Sequence, residues 1–358
     1  PVTRISSSLD GHTQPVLDVC FAPNGRLLAS ASGDRTVRVW DTLTETGLAV
    51  LSGHASWVMT AAWAPTSALL AAGEEGGAVS VWRVKALLDA PRALKDPAAV
   101  ARHRVACKGH KGYVSSLSWR PFHLDSAADT FVSGAKDGTV RVWAAGSGRC
   151  LHVGLRHSKA VTRVFWGGED RIYSASQDQT VVVWDATAGF LMAFAGHAHW
   201  INCVALNTHH ALKAAYNDFA ELQRGLVRDA EDPAALRARA VTLYAAALRL
   251  AGRELVATAS DDHTLMLFDC GAGEKNVMHC TGHTAPVNHV QFAPNCTTFV
   301  SASFDKTLRI WNVHIRGCVA VLRGHVAQVY MLAFSRDSRW LVSGSKDSTI
   351  QVWSVKER

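Results

Sequence analysis

A Gly-His pair recurs along this chain and constrains its fold more than any other feature. The copies lie at positions 11–12, 53–54, 109–110, 156–157 (where Arg replaces Gly), 196–197, 282–283 and 324–325. Alternating apolar and polar residues follow each copy, then a run of small residues, a turn that usually contains Asp, and a closing aromatic. The closing aromatics are Trp40, Trp82, Trp143, Trp184, Phe268, Trp311 and Trp353. Period-two alternation interrupted by turn residues predicts antiparallel strands joined by tight turns.

Seven such units predict a ring of small sheets. One unit cannot bury its apolar face alone, and radial stacking buries these faces between neighbouring sheets. With 48% hydrophobic residues, the chain has enough apolar side chains for such a core. The Gly-His and Trp-Asp positions resemble the WD40 repeat family, so we expect an all-β fold, a WD40 β-propeller forming one domain over 1–358. Residues 2–9 are expected to add an outer strand to the last blade and close the ring.

The resemblance to WD40 repeats also implies a role for the repeated polar residues. In that family a His, a Ser or Thr, the turn Asp and the closing Trp form one hydrogen-bonded relay, which satisfies buried polar atoms. Unit two has Ala72 and Gly76 in place of Ser and Asp, so we expect a looser turn there. Unit five has Thr258 and Asp262 but closes with Phe268, which has no indole N–H. The complete sets are His12, Ser30, Asp34, Trp40; His110, Ser133, Asp137, Trp143; His157, Ser174, Asp178, Trp184; His283, Ser301, Asp305, Trp311; and His325, Ser343, Asp347, Trp353.

The regular spacing is interrupted twice. Residues 83–107 lengthen the link after unit two, and we expect a surface loop there. The longer interruption follows the fifth Gly-His pair. Within it, Asp232-Pro233 is typical of a helix start, and the Ala- and Leu-rich residues that follow favour a helix. We therefore expect a helical insertion at about 219–252 within unit five; the alternative is a degenerate extra blade with Asp218 in its turn.

No group of residues predicts catalysis. Ser, His and Asp recur once per unit, which indicates structural hydrogen bonding, whereas a nucleophilic site is a single unusual constellation. His279, Cys280 and His283 form a short cluster, but His283 belongs to a Gly-His pair and zinc needs more ligands. The sequence contains no GxxxxGK[ST] or GxGxxG phosphate loop. We expect no enzyme activity, no cofactor, no metal site and no membrane span.

The end of the propeller that carries the Gly-His loops and the Asp turns is the expected binding surface, and we call it the top rim. Trp57, Tyr113 and Trp200 precede inner strands there, and they either pack on neighbouring blades or act as exposed anchors for a partner. Basic side chains at the rim are either ordinary solvated residues or contacts for an anionic partner such as rRNA, in a chain of formal net charge +7. These basic candidates are Arg35, Lys111, Lys136, Lys159, His199, His263, Lys306 and Lys346.

Several stretches resemble the Notchless family of ribosome-assembly factors more specifically than they resemble a general WD40 repeat. This family has a long insertion after the fifth Gly-His, an N-terminal ubiquitin-like domain and an eighth repeat. The last two features are not in this sequence, so the chain is either part of a longer protein, with eight blades in full, or a shortened relative. The stretches are SWRPFHL (118–124), FWGGEDRIYSASQDQT (165–180), GHAHWINCVAL (196–206), SASFDKTLRIWN (301–312) and RGHVAQVYMLAFSRDSRWLVSGSKDSTIQVW (323–353).

The resemblance implies a non-catalytic scaffold of large (60S) ribosomal subunit biogenesis in the nucleolus and nucleus. Members of this family dock on pre-60S particles, which contain rRNA and ribosomal and assembly proteins. The AAA+ ATPase midasin pulls them through the ubiquitin-like domain, so this propeller would anchor the particle. The alternative is a WD40 adaptor in signalling or in a ubiquitin-ligase complex that reads a peptide on its top face. Neither reading expects a small-molecule substrate.

Overall fold

Seven antiparallel sheets contain all the strands of the described chain. A computed structural model describes residues 9–90, 96–214, 232–271 and 275–355. Six of the sheets have four strands in chain order, and the seventh has three strands within the described residues. This arrangement is the seven-bladed propeller that the repeat predicts.

The first four blades take their strands from the first half of the chain. Blade one contains β1 (Val16–Phe21), β2 (Leu27–Ser32), β3 (Val37–Asp41) and β4 (Thr46–Leu51). Blade two contains β5 (Val58–Trp63), β6 (Leu69–Glu74), β7 (Val79–Arg83) and β8 (Arg104–Cys107). Blade three contains β9 (Val114–Trp119), β10 (Thr130–Ala135), β11 (Thr139–Ala144) and β12 (Cys150–Leu155). Blade four contains β13 (Val161–Trp166), β14 (Ile172–Ser176), β15 (Val181–Trp184) and β16 (Phe190–Phe194).

The remaining blades follow the same order, and two of the connections contain helices. Blade five contains β17 (Ile201–Leu206), β18 (Leu255–Ser260), β19 (Leu265–Asp269) and β20 (Lys275–Cys280). Blade six contains β21 (Val287–Phe292), β22 (Thr298–Ser303), β23 (Thr307–Asn312) and β24 (Gly317–Arg323). Blade seven contains β25 (Val329–Phe334), β26 (Trp340–Ser345) and β27 (Ile350–Ser354). The helices are α1 (Val84–Leu88), α2 (Pro97–Ala101), α3 (His209–Ala214) and α4 (Pro233–Ala251).

The first strand of every blade has a bulge between its first and third residues, as between Val161 and Arg163 in β13. In blades three to six the bulged second residue is polar, and its side chain is directed toward the next blade. There the side chain donates a hydrogen bond to a backbone carbonyl at the start of the neighbouring first strand. These bonds join blades three to seven in order. These donors and acceptors are Ser115 Oγ and Val161 O at 2.6 Å, Thr162 Oγ1 and Ile201 O at 2.7 Å, Asn202 Nδ2 and Val287 O at 3.0 Å, and Asn288 Nδ2 and Tyr330 O at 2.7 Å.

The long insertion lies inside blade five, since β17 pairs directly with β18 across it. This excludes an extra blade at that point and confirms the predicted helix, although Asp218 lies outside the described residues. The Asp232 side chain accepts from the N–H of Ala234, and Gly252 ends α4 with a φ of 74°. The insertion starts earlier than expected, because α3 follows β17 after only two residues.

Hydrogen bonds at the base of the insertion keep blade five intact. The N–H of Asn207 donates to Leu255 O, and the N–H of Leu255 donates back to Asn207 Oδ1. The buried Glu254 carboxylate accepts from Thr208 Oγ1 at 2.7 Å and Tyr173 Oη at 2.9 Å. Burial raises the pKa of Glu254 although these bonds lower it. These hydrogen bonds therefore hold together the two points at which the chain leaves blade five and returns to it.

Helix α4 packs on the face of the propeller opposite the top rim. Leu236 and Ala240 form a small apolar cluster with Phe122, which lies between β9 and β10. The Tyr244 ring stacks on His123, with ring centroids 4.7 Å apart. The insertion thus extends from blade five across to blade three. Within the described part of the chain, no helix is long and apolar enough to cross a membrane.

The link after blade two differs from the surface loop expected over 83–107. It contains α1, α2 and the fourth strand β8, while residues 91–95 lie outside the described residues. Val84, Leu87 and Val100 pack into the core of the first two blades. These apolar positions give the link a buried side, which the Pro residues obscured in the sequence.

Within the described residues, blade one has an exposed apolar face toward blade seven. Val19 in β1 is 58% exposed, whereas Val164, its equivalent in β13, is fully buried against the preceding blade. Phe21 is likewise exposed, and so are Met331 and Ile350 on blade seven. The predicted closing strand at 2–9 lies outside the described residues. An additional blade would cover these faces, and the eight-bladed full protein stays a prediction.

Candidate binding rim

The polar residues of each repeat meet behind the top rim, and blade three shows the arrangement. Ser133 Oγ lies 2.7 Å from His110 Nε2 and 2.7 Å from Trp143 Nε1. His110 Nδ1 lies 3.1 Å from the Asp137 carboxylate. The indole N–H can only donate and the carboxylate can only accept. Each atom has a partner when Trp143 donates to Ser133, Ser133 to His110 Nε2, and His110 Nδ1–H to Asp137.

The structure brings together the four side chains in each of the other predicted sets. His Nε2 lies 2.7 Å from the hydroxyl oxygen in every set, and the indole N–H donates to that oxygen at 2.8 or 2.9 Å. Blade five lacks the indole donor because Phe268 closes it, but His197 still joins Thr258 and Asp262. The relay sets are His12–Ser30–Asp34–Trp40, His157–Ser174–Asp178–Trp184, His283–Ser301–Asp305–Trp311 and His325–Ser343–Asp347–Trp353.

The relay contains a fifth member that was not predicted from the sequence. A Thr two residues after each turn Asp donates its hydroxyl to the carboxylate, as Thr36 does to Asp34 at 2.6 Å. The repeated Asp-x-Thr pattern in the sequence could have identified this Thr as part of the relay. Burial alone would raise the pKa of Asp34, but hydrogen bonds from Thr36 and His12 lower it to about 2. The same bonds hold the pKa of the turn Asp of the other complete relays well below its ordinary value.

The looser turn expected in unit two is wrong. Glu74, two residues before Gly76, accepts from His54 Nδ1 at 2.9 Å and from the N–H of Ala55 at 3.0 Å. The turn closes with backbone bonds from Glu74 N to Ala78 O and from Gly77 N to Glu74 O, as in other blades. The longer Glu side chain reaches the His from an earlier position, so the missing Asp does not open the turn.

Blade two also contains a partly buried ion pair, in which the carboxylate is the buried member. Arg104 of β8 lies 3.2 Å from Glu74 and donates to Ser80 Oγ and to the carbonyl of Gly53. The absent Ser has a consequence, because Ala72 has no hydroxyl to bridge the ring nitrogens. His54 Nε2 and Trp82 Nε1 are therefore buried without a hydrogen-bond partner among the described residues.

The Gly of the Gly-His pair makes room for a side chain from the third strand. A Cβ on Gly282 would lie 2.5 Å from Arg309 Nη1, and its φ of 137° also favours Gly. Blade four has Val182 at the position of that Arg, so Arg156 can replace the Gly. The Arg156 guanidinium instead lies 4.3 Å from the centroid of the Phe190 ring.

The three predicted aromatics lie on the top rim beside the turns. Each accepts a backbone hydrogen bond from the start of its turn, as Tyr113 O does from Lys136 N at 2.9 Å. Trp57 packs on Gly33 of blade one yet is 45% exposed, and Trp200 is 39% exposed. Tyr113 is half-buried under Lys136, whose Nζ lies 5.6 Å from the ring centroid. Each of these aromatic rings thus contacts neighbouring residues on one side and remains partly exposed to solvent.

The basic candidates lie around the same rim. All are exposed except His263, which is half-buried. Arg35, His263 and Lys306 follow the turn Asp with φ between 65° and 70°, a left-handed conformation that non-Gly residues adopt uncommonly. His199 Nδ1 lies 3.5 Å from the Asp261 carboxylate. The exposed set is Arg35, Lys111, Lys136, Lys159, His199, Lys306 and Lys346.

One shallow pocket opens on the rim between blades two and three, lined by Glu75, Lys111, Gly112, Tyr113, Lys136 and Asp137. An aromatic pair on the rim between blades six and seven was not predicted. Phe304 and Tyr330 make an edge-to-face contact at 5.6 Å between blades six and seven, and Tyr330 is 39% exposed. Phe304 directly follows the Ser-Ala-Ser residues at the end of a strand, and nothing in this local sequence predicts an aromatic on the rim.

A family model supports the fold independently. The model described as WD domain, G-beta repeat matches residues 3–41, 46–83, 102–144, 148–185, 274–312 and 316–354. The chain belongs to the WD40 family. The insertion between β17 and β18 splits the fifth WD40 repeat, and the unmatched residues 186–273 contain the first three strands of blade five.

Comparison with individual relatives shows which WD40 proteins this chain is similar to. The chain is 42% identical to Protein Notchless of Drosophila melanogaster over 82% of this chain and 57% of that protein. It is 38% identical to the Notchless protein homolog of Arabidopsis thaliana over 87% of this chain and 62% of the relative. Ribosome assembly protein 4 of Saccharomyces cerevisiae is 35% identical over 87% of this chain and 58% of the relative. The chain thus spans about three-fifths of the length of these WD40 relatives, and the predicted Notchless resemblance is confirmed.

Proposed function

We propose that this WD40 propeller is a non-catalytic docking scaffold in the assembly of the large ribosomal subunit. Similarity to proteins named for ribosome assembly supports the process. The single observation that carries a docking role is the top rim, where exposed Trp57 and Trp200 lie among exposed basic residues. Large aromatics supply contact area at interfaces, and Lys and Arg neutralise phosphates.

The repeated hydrogen bonds support a rigid scaffold. The relays fix the turns of the blades that contain them, and the bulge bonds join blades three to seven along their first strands. A rim residue such as Lys136 is thereby presented by a blade that is hydrogen-bonded internally and, through Ser115, to the next blade. Rigid presentation lowers the conformational entropy lost when a large partner binds.

In this proposal the propeller binds pre-60S particles through rRNA and proteins in the nucleolus and nucleus. Midasin would act through a ubiquitin-like domain that is not part of this sequence, and the propeller would hold the particle while that force is applied. These finer points rest on the resemblance to Notchless proteins. Neither a substrate nor a cofactor is part of the proposal.

Charge reversal on the rim tests this role. The triple variant Lys136→Glu, Lys306→Glu and Lys346→Glu is expected to lose most co-sedimentation with large-subunit precursors, because it replaces phosphate attraction with repulsion. A matched control, Lys85→Glu, Arg102→Glu and Arg149→Glu, reverses three exposed charges at connections between third and fourth strands, on the opposite end. Both proteins should retain the wild-type unfolding temperature.

The proposal fails if the rim variant co-sediments as well as the wild type, or if both variants lose particles equally. Loss of a signalling or ubiquitin-ligase partner, with particle binding intact, would instead favour the adaptor alternative.

A further inference from the structure

The central channel contains a cavity of about 280 Å³ on the propeller axis. Side chains from the first strand of all seven blades line it. Helix α3, the start of the blade-five insertion, contributes His209, Leu212 and Lys213 to its wall. His209 is fixed there by an edge-to-face contact with Phe165, with ring centroids 4.7 Å apart. The insertion thus borders the channel at the end away from the top rim.

The third residue of each first strand faces this cavity, directly after the bulge. On blades four, five and six these residues are Arg163, Cys203 and His289, side by side around the axis. On the other side Asp18 is the acidic lining residue, and it accepts from Thr60 Oγ1 at 3.0 Å and from the N–H of Ala61 at 2.9 Å. The acid is therefore already hydrogen-bonded within blades one and two.

The basic side of the cavity has hydrogen-bonding capacity left over. The Arg163 guanidinium has no hydrogen bond or ion pair within the described ranges. His289 Nδ1 and Gln291 Oε1 are buried, and among the described residues the Cys203 thiol is the polar group that the His289 ring faces. Buried polar atoms in native proteins are normally satisfied by protein, water or a ligand.

The thiols on the two sides of the cavity show how uneven its electrostatic field is. Burial alone would raise the pKa of Cys203, but His289 and Arg163 lower it to about 6 because they stabilise the thiolate. Across the cavity, burial and the Asp18 carboxylate raise the pKa of Cys20 well above its ordinary value. The same field that favours a thiolate on blade five favours any small anion placed beside it.

We propose that this channel cavity binds a small oxyanion between Arg163 and His289. The planar guanidinium can donate two parallel bonds to an oxyanion. His289 adds a donor at Nδ1, and Gln291 Oε1 can accept from a protonated oxygen. The site is independent of the top rim, so it does not depend on the docking function proposed above.

Cys203 lies between the two anchoring side chains, so its reactivity reports occupancy. We would measure iodoacetamide alkylation of the full chain by peptide mass spectrometry, with inorganic phosphate as the probe. Acetate tests a carboxylate, and chloride at matched ionic strength tests general screening. With phosphate at ten times its Kd, the Cys203 rate should fall about tenfold, because only the empty fraction reacts. The exposed Cys318 provides an internal control.

Arg163→Gln and His289→Gln should each remove the phosphate protection, measured as the rate ratio with and without the anion. Lys159→Gln removes one rim charge and should keep the protection. If Arg163→Gln does not fold, His289→Gln still decides. Protection that persists in the folded channel variants, that chloride reproduces, or that does not occur in the wild type would overturn the proposal. Protection by acetate as well would support a carboxylate ligand, and protection by phosphate alone would support a phosphate.

Discussion

One hydroxyl distinguishes blade two from blade three, and exchanging it tests the relay directly. Ser133 Oγ bridges His110 and Trp143 in blade three. In blade two, Ala72 leaves the matching nitrogens of His54 and Trp82 unpaired. The ring centroids of His and Trp are 5.8 Å apart in blade two and 6.1 Å apart in blade three. A hydroxyl placed on residue 72 would therefore find both nitrogens in position.

The expected magnitudes follow from the number of bonds. Ser133→Ala removes two hydrogen bonds and leaves two buried nitrogens unpaired, which should lower the free energy of unfolding by about 2–3 kcal/mol. Ala72→Ser forms two bonds between groups that are already buried, and it should raise that free energy by about 1–2 kcal/mol. Ala71→Ser is the matched control: Ala71 is equally buried in β6 but packs in the core between blades two and three. Burying a hydroxyl there should cost about 1–3 kcal/mol.

Equilibrium denaturation followed by tryptophan fluorescence measures all three variants. We expect Ala72→Ser above the wild type, with Ser133→Ala and Ala71→Ser below it. If Ser133→Ala is neutral, or if Ala72→Ser is no more stable than Ala71→Ser, the relay does not stabilise the blades as argued.

Three further predictions concern acid stability, the exposed apolar face of blade one and the insertion. Because folding lowers the pKa of Asp34 to about 2, its contribution should be complete above pH 4 and should disappear as the pH falls toward 2; Asp34→Asn should flatten this part of the acid-unfolding curve. Val19→Ser should change the unfolding free energy by less than about 0.5 kcal/mol, whereas the equivalent Val164→Ser should cost about 2–3 kcal/mol; equal costs in denaturant titrations would mean that the first blade is covered. Leu236→Ala should accelerate hydrogen exchange in α4 with little change in the main unfolding transition, and unchanged exchange would contradict the docking of this helix on Phe122.

The repeat predicted the blades because each unit repeats the same local rules. Gly-His, Asp-x-Thr and a closing aromatic place the relay within one blade, and alternation places its strands. Asp232-Pro233 and Gly252 similarly marked the inserted helix, since capping is a local property. Such features are visible in the sequence because neighbouring residues determine them.

Contacts between distant residues were not visible. Glu74 replaces the missing Asp from two positions earlier, and its partner Arg104 comes from a strand beyond a long link. The cavity residues Arg163 and His289 belong to different blades, and only ring geometry brings them to the same level of the channel. A local sequence pattern does not indicate which distant residues will be in contact. For this reason the prediction for the turn of blade two was wrong and the cavity was not predicted.

The proposed role can be tested most directly by purifying the protein from its own cells and identifying what accompanies it. We predict enrichment of large-subunit rRNA precursors together with large-subunit ribosomal proteins, and loss of both from the rim variant of Lys136, Lys306 and Lys346. Recovery of ligase or signalling subunits without rRNA would contradict a scaffold of ribosome assembly.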